Sequence, residues 1–213
     1  MSDRLSIYND ALLICGERAL ANLTENREPR YLLDQIWNQR GIDTCLEEGQ
    51  WFFAMRTQRI DKEPSITPTF GYQCAFTKPS DWVLTCAIAT DEFFRVPTLR
   101  YVDEAGYWYS DVITLYVRFV SNDPAYGNNL ALWPQSFHEF VAAHFASKIM
   151  LKLSSDANKT KEVTDLRKHL LLEAKSRSAM AEPTKFAPAG SWSRARNRGV
   201  NRRDGGNTSG SLY

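Results

Sequence analysis

The hydrophobic period of this chain changes twice along its length, and that constrains the fold more than any other feature. Residues 1–54 and 121–182 place apolar side chains at helical spacing. Residues 55–120 are cut into short pieces by Pro64, Pro68, Pro79 and Pro97 and are rich in β-branched and aromatic residues. A pattern with a 3.6-residue period does not serve as a strand, nor an alternating pattern as a helix. The chain must therefore begin a helical body, leave it to build a β unit, and return to complete it. An α+β fold is predicted: an antiparallel helix bundle (1–54 and 121–182), an inserted small antiparallel β-sheet or barrel (55–120), and an extended C-terminal arm (183–213).

Within the first helix Ile7, Ala11 and Ile14 form one stripe, with Leu12 and Leu13 beside it, and Gly16 can end it. A second helix should start near Pro29, a residue suited to the first turn. Its stripe of Leu32, Leu33, Ile36 and Trp37 continues to Cys45 and Leu46 and stops at Gly49. Gly41 falls inside it, at a cost of about 1 kcal/mol relative to alanine. A third helix enters at Pro134 and carries Phe137, Val141, His144, Lys148 and Leu151, widened by Phe140, Phe145 and Ile149. Such width predicts burial on more than one side. After a turn at 154–158, the last helix sets Val163, Leu166, Leu170 and Ala174 inward, with Asp165, Arg167, Lys168 and Glu173 outward, until Pro183 stops it.

The expected strands are Tyr72–Phe76, Trp82–Ala89, Leu99–Val102, Tyr107–Ser110 and Val112–Phe119. In the last, Ile113, Leu115, Val117 and Phe119 share one face. Asp103-Glu104-Ala105-Gly106 predicts a hairpin turn. Trp37, Trp51, Phe52 and Phe53 read as core between the second helix and the sheet. Tyr107-Trp108-Tyr109 follows the turn, and three adjacent aromatics in a strand cannot share one face. They read as a core tryptophan flanked by amphipathic tyrosines, as a protein-contact surface, or as a base-stacking platform.

Charge separates body from arm. The whole chain is +1. From Pro183 onward six basic residues, including Arg194, Arg196 and Arg198, meet the single acid Asp204, for a net +5; the rest is therefore −4. A near-neutral total is not that of a polycation made to coat nucleic acid. The Gly-rich arm holds too few apolar groups to offset its ordering entropy alone. No run approaches the ~20 apolar residues that cross a bilayer, and the opening residues do not read as a secretory leader. Cys15, Cys45, Cys74 and Cys86 are widely spaced, without a C-x-x-C pair, and are expected as reduced, mostly buried thiols.

Candidate catalytic groups are few. His138-Glu139 resembles the start of a zinc-protease helix, but that motif needs a second histidine four residues on, and Ala142 stands there. His138 and His144 are six residues apart, about 600° around a helix, and point in different directions. His144 reads as a hydrogen-bonded core or interface residue. His169 reads as the partner of Asp165 in a helix-surface pair, and the adjacent Glu47 and Glu48 as solvated. Phosphate-binding and nucleophile-elbow motifs are missing from the sequence. No cofactor, metal site or reaction is expected.

Five segments, in order, carry a family resemblance: Ala11-Leu12-Leu13-Ile14-Cys15-Gly16-Glu17; Trp51-Phe52-Phe53-Ala54-Met55-Arg56; Pro79-Ser80-Asp81-Trp82; the paired helices from Trp133-Pro134 to Leu153 and Val163 to Ala181; and Trp192-Ser193-Arg194-Ala195-Arg196. Over residues 6 to 198 the chain resembles the phage tail tubular protein A family, the head-to-tail adaptors or gatekeepers of short-tailed phages. The resemblance implies a virion protein of the head–tail junction, assembled in the host cytoplasm as a ring of twelve copies. The portal protein would lie above it and a tail nozzle or tube protein below. Genomic DNA would pass through the channel without sequence-specific binding, and no membrane would be involved. On this reading Trp192, Arg194, Arg196 and Arg198 are the expected portal- or neighbour-binding residues, and Tyr107, Trp108 and Tyr109 the expected tail-contact loop. The rival expectation is a small nucleic-acid-binding protein that uses the arginine-rich arm.

Overall fold

Asp3 and Ser6 open the first helix with a reciprocal cap. The Ser6 N–H donates to Asp3 Oδ1 at 2.7 Å, and the Asp3 N–H donates to Ser6 Oγ at 3.1 Å. In the computed structural model, which describes residues 3–181 apart from 70, 96 and 155, helix α1 then spans Arg4–Cys15. Gly16 ends it at φ 77°, and the Glu17 N–H returns to the Leu12 carbonyl at 2.9 Å. The predicted arm, 183–213, lies outside the described residues.

The expected second helix is two. Helix α2 runs Glu28–Asn38 with Pro29 in its first turn, and α3 runs Gly41–Glu47. Arg40, at φ 63°, turns the chain between them. Close packing at Gly41 accompanies the break. A Cβ on Gly41 would lie 2.7 Å from both Ile36 Cγ2 and Phe145 Cε1. The break brings bare backbone against Phe145, which a continuous helix could not do.

Helices α4 (Gln135–Leu153) and α5 (Ala157–Ala181) complete the helical body. Its core joins Ile7, Tyr8, Leu33, Leu46, Trp51, Phe137, Phe140 and Phe145. Trp51 packs on α4 rather than on the sheet, with its ring 4.7 Å from that of Phe137. Its indole N–H donates to the carbonyls of Cys45 and Leu46 at the end of α3. Phe52, expected in the core, is partly exposed. The expected α4 stripe also fails at its end: Lys148 and Leu151 are exposed. Helix α1 finishes at Cys15, whose thiol reaches the Ala146 carbonyl, so nothing of α1 covers the stripe beyond that point. Leu13 likewise faces solvent. Of the four cysteines only Cys45 is buried; the other three are half-buried.

The β unit consists of β1 (Met55–Asp61), β2 (Cys74–Thr77), β3 (Trp82–Ala89), β4 (Val102–Glu104), β5 (Tyr107–Ser110) and β6 (Thr114–Ser121). They form two antiparallel three-stranded sheets, ordered β1-β6-β3 and β2-β5-β4. The fold is therefore α+β. In the first sheet Met55 pairs with Val120 and Asp61 with Thr114. Leu115, Val117 and Phe119 of β6 meet Phe76, Ile88 and Trp108 in a second core. Val120 belongs instead to the helical core, so β6 serves both. Ile113 precedes the strand and is exposed, contrary to the expected alternation. The expected Leu99–Val102 strand lies at Val102–Glu104. Ala105 (φ 51°) and Gly106 (φ 85°) close the predicted hairpin with both central residues at positive φ, the two-residue turn whose twist matches its strands.

Candidate functional site

Alternation along β5 separates the three aromatics singled out from the sequence. Trp108 and Ser110 turn inward and are buried; Tyr107 and Tyr109 lie on the opposite face, half-buried, with ring centroids 6.3 Å apart. Trp108 is therefore an anchor and not part of a contact surface. Nor is the segment a loop, for β5 is the central strand of its sheet.

What Trp108 anchors is clear from its partners. Its indole N–H donates to Thr85 Oγ1 at 3.1 Å, and the Trp82 indole donates to the same oxygen at 3.0 Å. The Thr85 hydroxyl can donate onward to Asp103, 3.4 Å away. Lys78 Nζ sits 3.5 Å from the Trp82 ring centroid and 2.5 Å from Asp103 Oδ1. An ammonium shielded between a ring face and a carboxylate is held more firmly than a solvated pair. Together these groups tie the β4–β5 hairpin to β3, so the outer tyrosines stand on a fixed support.

Outward from that support, Tyr109 lines a groove of about 340 Å³ with Ile66, Pro68, Tyr72, Val102 and Glu104. The β unit also exposes Phe93, Leu99, Val102 and Ile113. Exposed apolar residues also occur on the helices, among them Leu13, Tyr31, Leu151, Leu172 and Met180, so what sets the β unit apart is the groove beside Tyr109. The arrangement offers stacking, apolar contact and phenolic hydrogen bonding. Phe93 and Leu99 were not singled out from the sequence. The available signal was Phe93-Phe94 directly after Asp91-Glu92 in a proline-bounded, non-alternating stretch.

Two of the three histidines are buried in the helical body. His144 is buried on α4, where its Nδ1 accepts from Arg167 Nε at 3.1 Å. Burial, reinforced by the positive charges of Arg167 and Lys148, pushes its pKa down to about 4. It is a neutral acceptor at ordinary pH. Arg167, expected outward, turns inward: it also ion-pairs with Glu48 and lies over the Phe140 ring at 5.6 Å. Glu48 is correspondingly paired rather than free in solvent. His138 is buried against α1, with Nε2 3.2 Å from Ser6 Oγ. Burial lowers its pKa, opposed by Asp10, whose carboxylate is 3.4 Å from Nδ1. His169 is exposed, and Asp165 pairs with Lys168 at 3.0 Å instead. Among the described residues no three histidines, cysteines or carboxylates gather as a metal site. No described helix is long and apolar enough to cross a membrane.

Trp192, Arg194, Arg196 and Arg198, the other expected binding set, lie outside the described residues. No protein-family model matches the chain, and no curated protein matches it.

Proposed function

We propose that this chain is a structural virion protein, a head-to-tail adaptor subunit that forms a ring of twelve copies between the portal and the tail and lines the DNA exit channel. The single observation that carries the reading is the β unit inserted between α3 and α4. It is braced from inside by its own core and by the Lys78–Asp103–Thr85 lock, while outside it displays Tyr107, Tyr109, Phe93, Leu99 and a groove. Tyr107 and Tyr109 stand on a central strand and Phe93 and Leu99 on irregular segments of the same unit, and binding groups positioned by a rigid scaffold are the usual construction of a docking module. The reading rests otherwise on the resemblance of the sequence segments; the described chain runs three helices, the β unit, then two helices. The β unit would face the tail nozzle or tube protein, and the helices with the basic arm would face the portal.

Native mass measurement of the protein, alone and mixed with the matching portal, tests this. A portal-bound ring is expected, and the doubly substituted Tyr107→Ser, Tyr109→Ser protein should dock on the portal yet fail to recruit the tail component. A protein that never binds the portal, but binds random DNA through residues 183–213 with strong salt dependence, would overturn the reading in favour of a nucleic-acid-binding protein.

A further inference from the structure

We infer that Phe93 of one copy inserts into an aromatic groove beside the end of α5 on the next, joining copies head to tail; this rests on the ring reading above. The loop that carries Phe93 is shaped to present it. Phe94 adopts φ 51°, a left-handed conformation that non-glycine residues rarely hold, and its ring lies 5.0 Å from the Arg118 guanidinium. The Phe94 N–H approaches the Asp91 carbonyl at 3.4 Å, and the Arg95 N–H donates to Asp91 Oδ2 at 3.3 Å. The turn thus holds Phe94 against the β unit and leaves Phe93 two-thirds exposed, touched on one side by Arg95.

The same molecule carries a complementary recess. Trp51, Phe52, Phe53 and Phe137 line a groove of about 260 Å³ whose other wall is Ala174 and Arg177 of α5. Ser178 fixes that wall to the aromatic segment, accepting from the Phe52 N–H at 3.1 Å and donating to the Gln50 carbonyl at 3.2 Å. An apolar cavity of about 150 Å³ accepts a benzene ring, so the groove has room for a phenyl side chain. Opposite charge is available on the two surfaces: Asp91 and Glu92 precede Phe93, and Arg177, ion-paired with Glu173, lines the groove. Projection and recess are different surfaces of one chain, so their union is heterologous. A heterologous contact closes a ring when its rotation permits.

Photo-cross-linking tests the contact. With Phe93 replaced by p-benzoylphenylalanine in the full chain, a mixture of isotopically heavy and light copies should yield heavy–light dimers. Their adducts should map to 51–53, 137 or 174–181. Self-association by sedimentation should fall at least about tenfold in Phe93→Asp, as for loss of an interface aromatic, with an unchanged melting temperature. Glu92→Lys should weaken it, and Arg177→Glu in the same chain should restore it. Adducts confined within one copy, adducts elsewhere (including residues 182–213), or no cross-linked dimer at millimolar concentration would overturn the inference. A ring that docks on the portal with its adducts elsewhere removes only this contact. Correct adducts in a protein that never docks remove only the adaptor reading.

Discussion

The helical body and the β unit use aromatic residues in opposite ways. In the body, Trp51, Phe137 and Phe140 pack on one another while Phe145 packs on Tyr8 and Trp37, and even polar groups are drawn in: His138, His144 and Ser178 are buried. In the β unit, one aromatic layer, Phe76, Trp108 and Phe119, fills a thin core, while Phe93, Tyr107 and Tyr109 remain at least partly open to solvent. A unit of six short strands has little interior to fill, so its remaining apolar side chains must face outward. The body holds the larger core.

The strongest challenge to that comparison is truncation in the body. Trp51→Ala should cost about 3–5 kcal/mol in chemical denaturation, the range for a fully buried tryptophan; a loss below about 1 kcal/mol would mean the body does not depend on its aromatic stack. Acid should act through the same region. His144 titrates near its ordinary value of about 6.5 when unfolded and at about 4 when folded, so the unfolded chain binds the proton first. Stability is then full above pH about 6.5 and is lost as pH falls toward 4, by about 2–3 kcal/mol. His144→Gln should flatten that slope in denaturation curves taken between pH 7 and pH 4.

Two glycines sharpen the contrast at smaller magnitude. Gly41→Ala forces a methyl group into Ile36 and Phe145 and should cost about 1–3 kcal/mol. Gly106→Ala meets open space and only the strain of positive φ, about 1 kcal/mol. Equal melting temperatures for the two variants would contradict the assignment of tight packing to the body. Smallest of all, the Tyr107→Ser, Tyr109→Ser protein should lose under about 1 kcal/mol while tail recruitment disappears. A loss like that of Trp51→Ala would place both tyrosines in the core.

Local chemistry made much of this fold legible. Strands β3 and β5 fall where β-branched and aromatic content put them, the β4–β5 turn follows from Ala105-Gly106, and Gly16 ends α1. What escaped depends on distant partners. Strand β1, Met-Arg-Thr-Gln-Arg-Ile-Asp, has little apolar content because it is an edge strand that contributes chiefly Ile60 to the second core. Arg40 breaks a continuous apolar stripe where Ile36 and Phe145 both close on Gly41. Arg167 looks like a surface residue until His144 and Glu48 are found beside it. At the candidate site, β5 alternation already implied that Trp108 and its neighbours part company, but not which face was covered; that required Thr85 and Phe76 from other strands.

The helical body is discontinuous, and Trp51 and Phe53 find their packing partners Phe137 and Phe140 only on α4, after the whole β unit has been threaded through. On a ribosome moving at about 5–20 residues per second, the first three helices emerge seconds before the helix that covers them. Their aromatic faces are open throughout that delay. Such an exposed nascent half is a substrate for holding chaperones, and a messenger that slowed translation between the codons for Ser121 and Leu153 would lengthen the hazard.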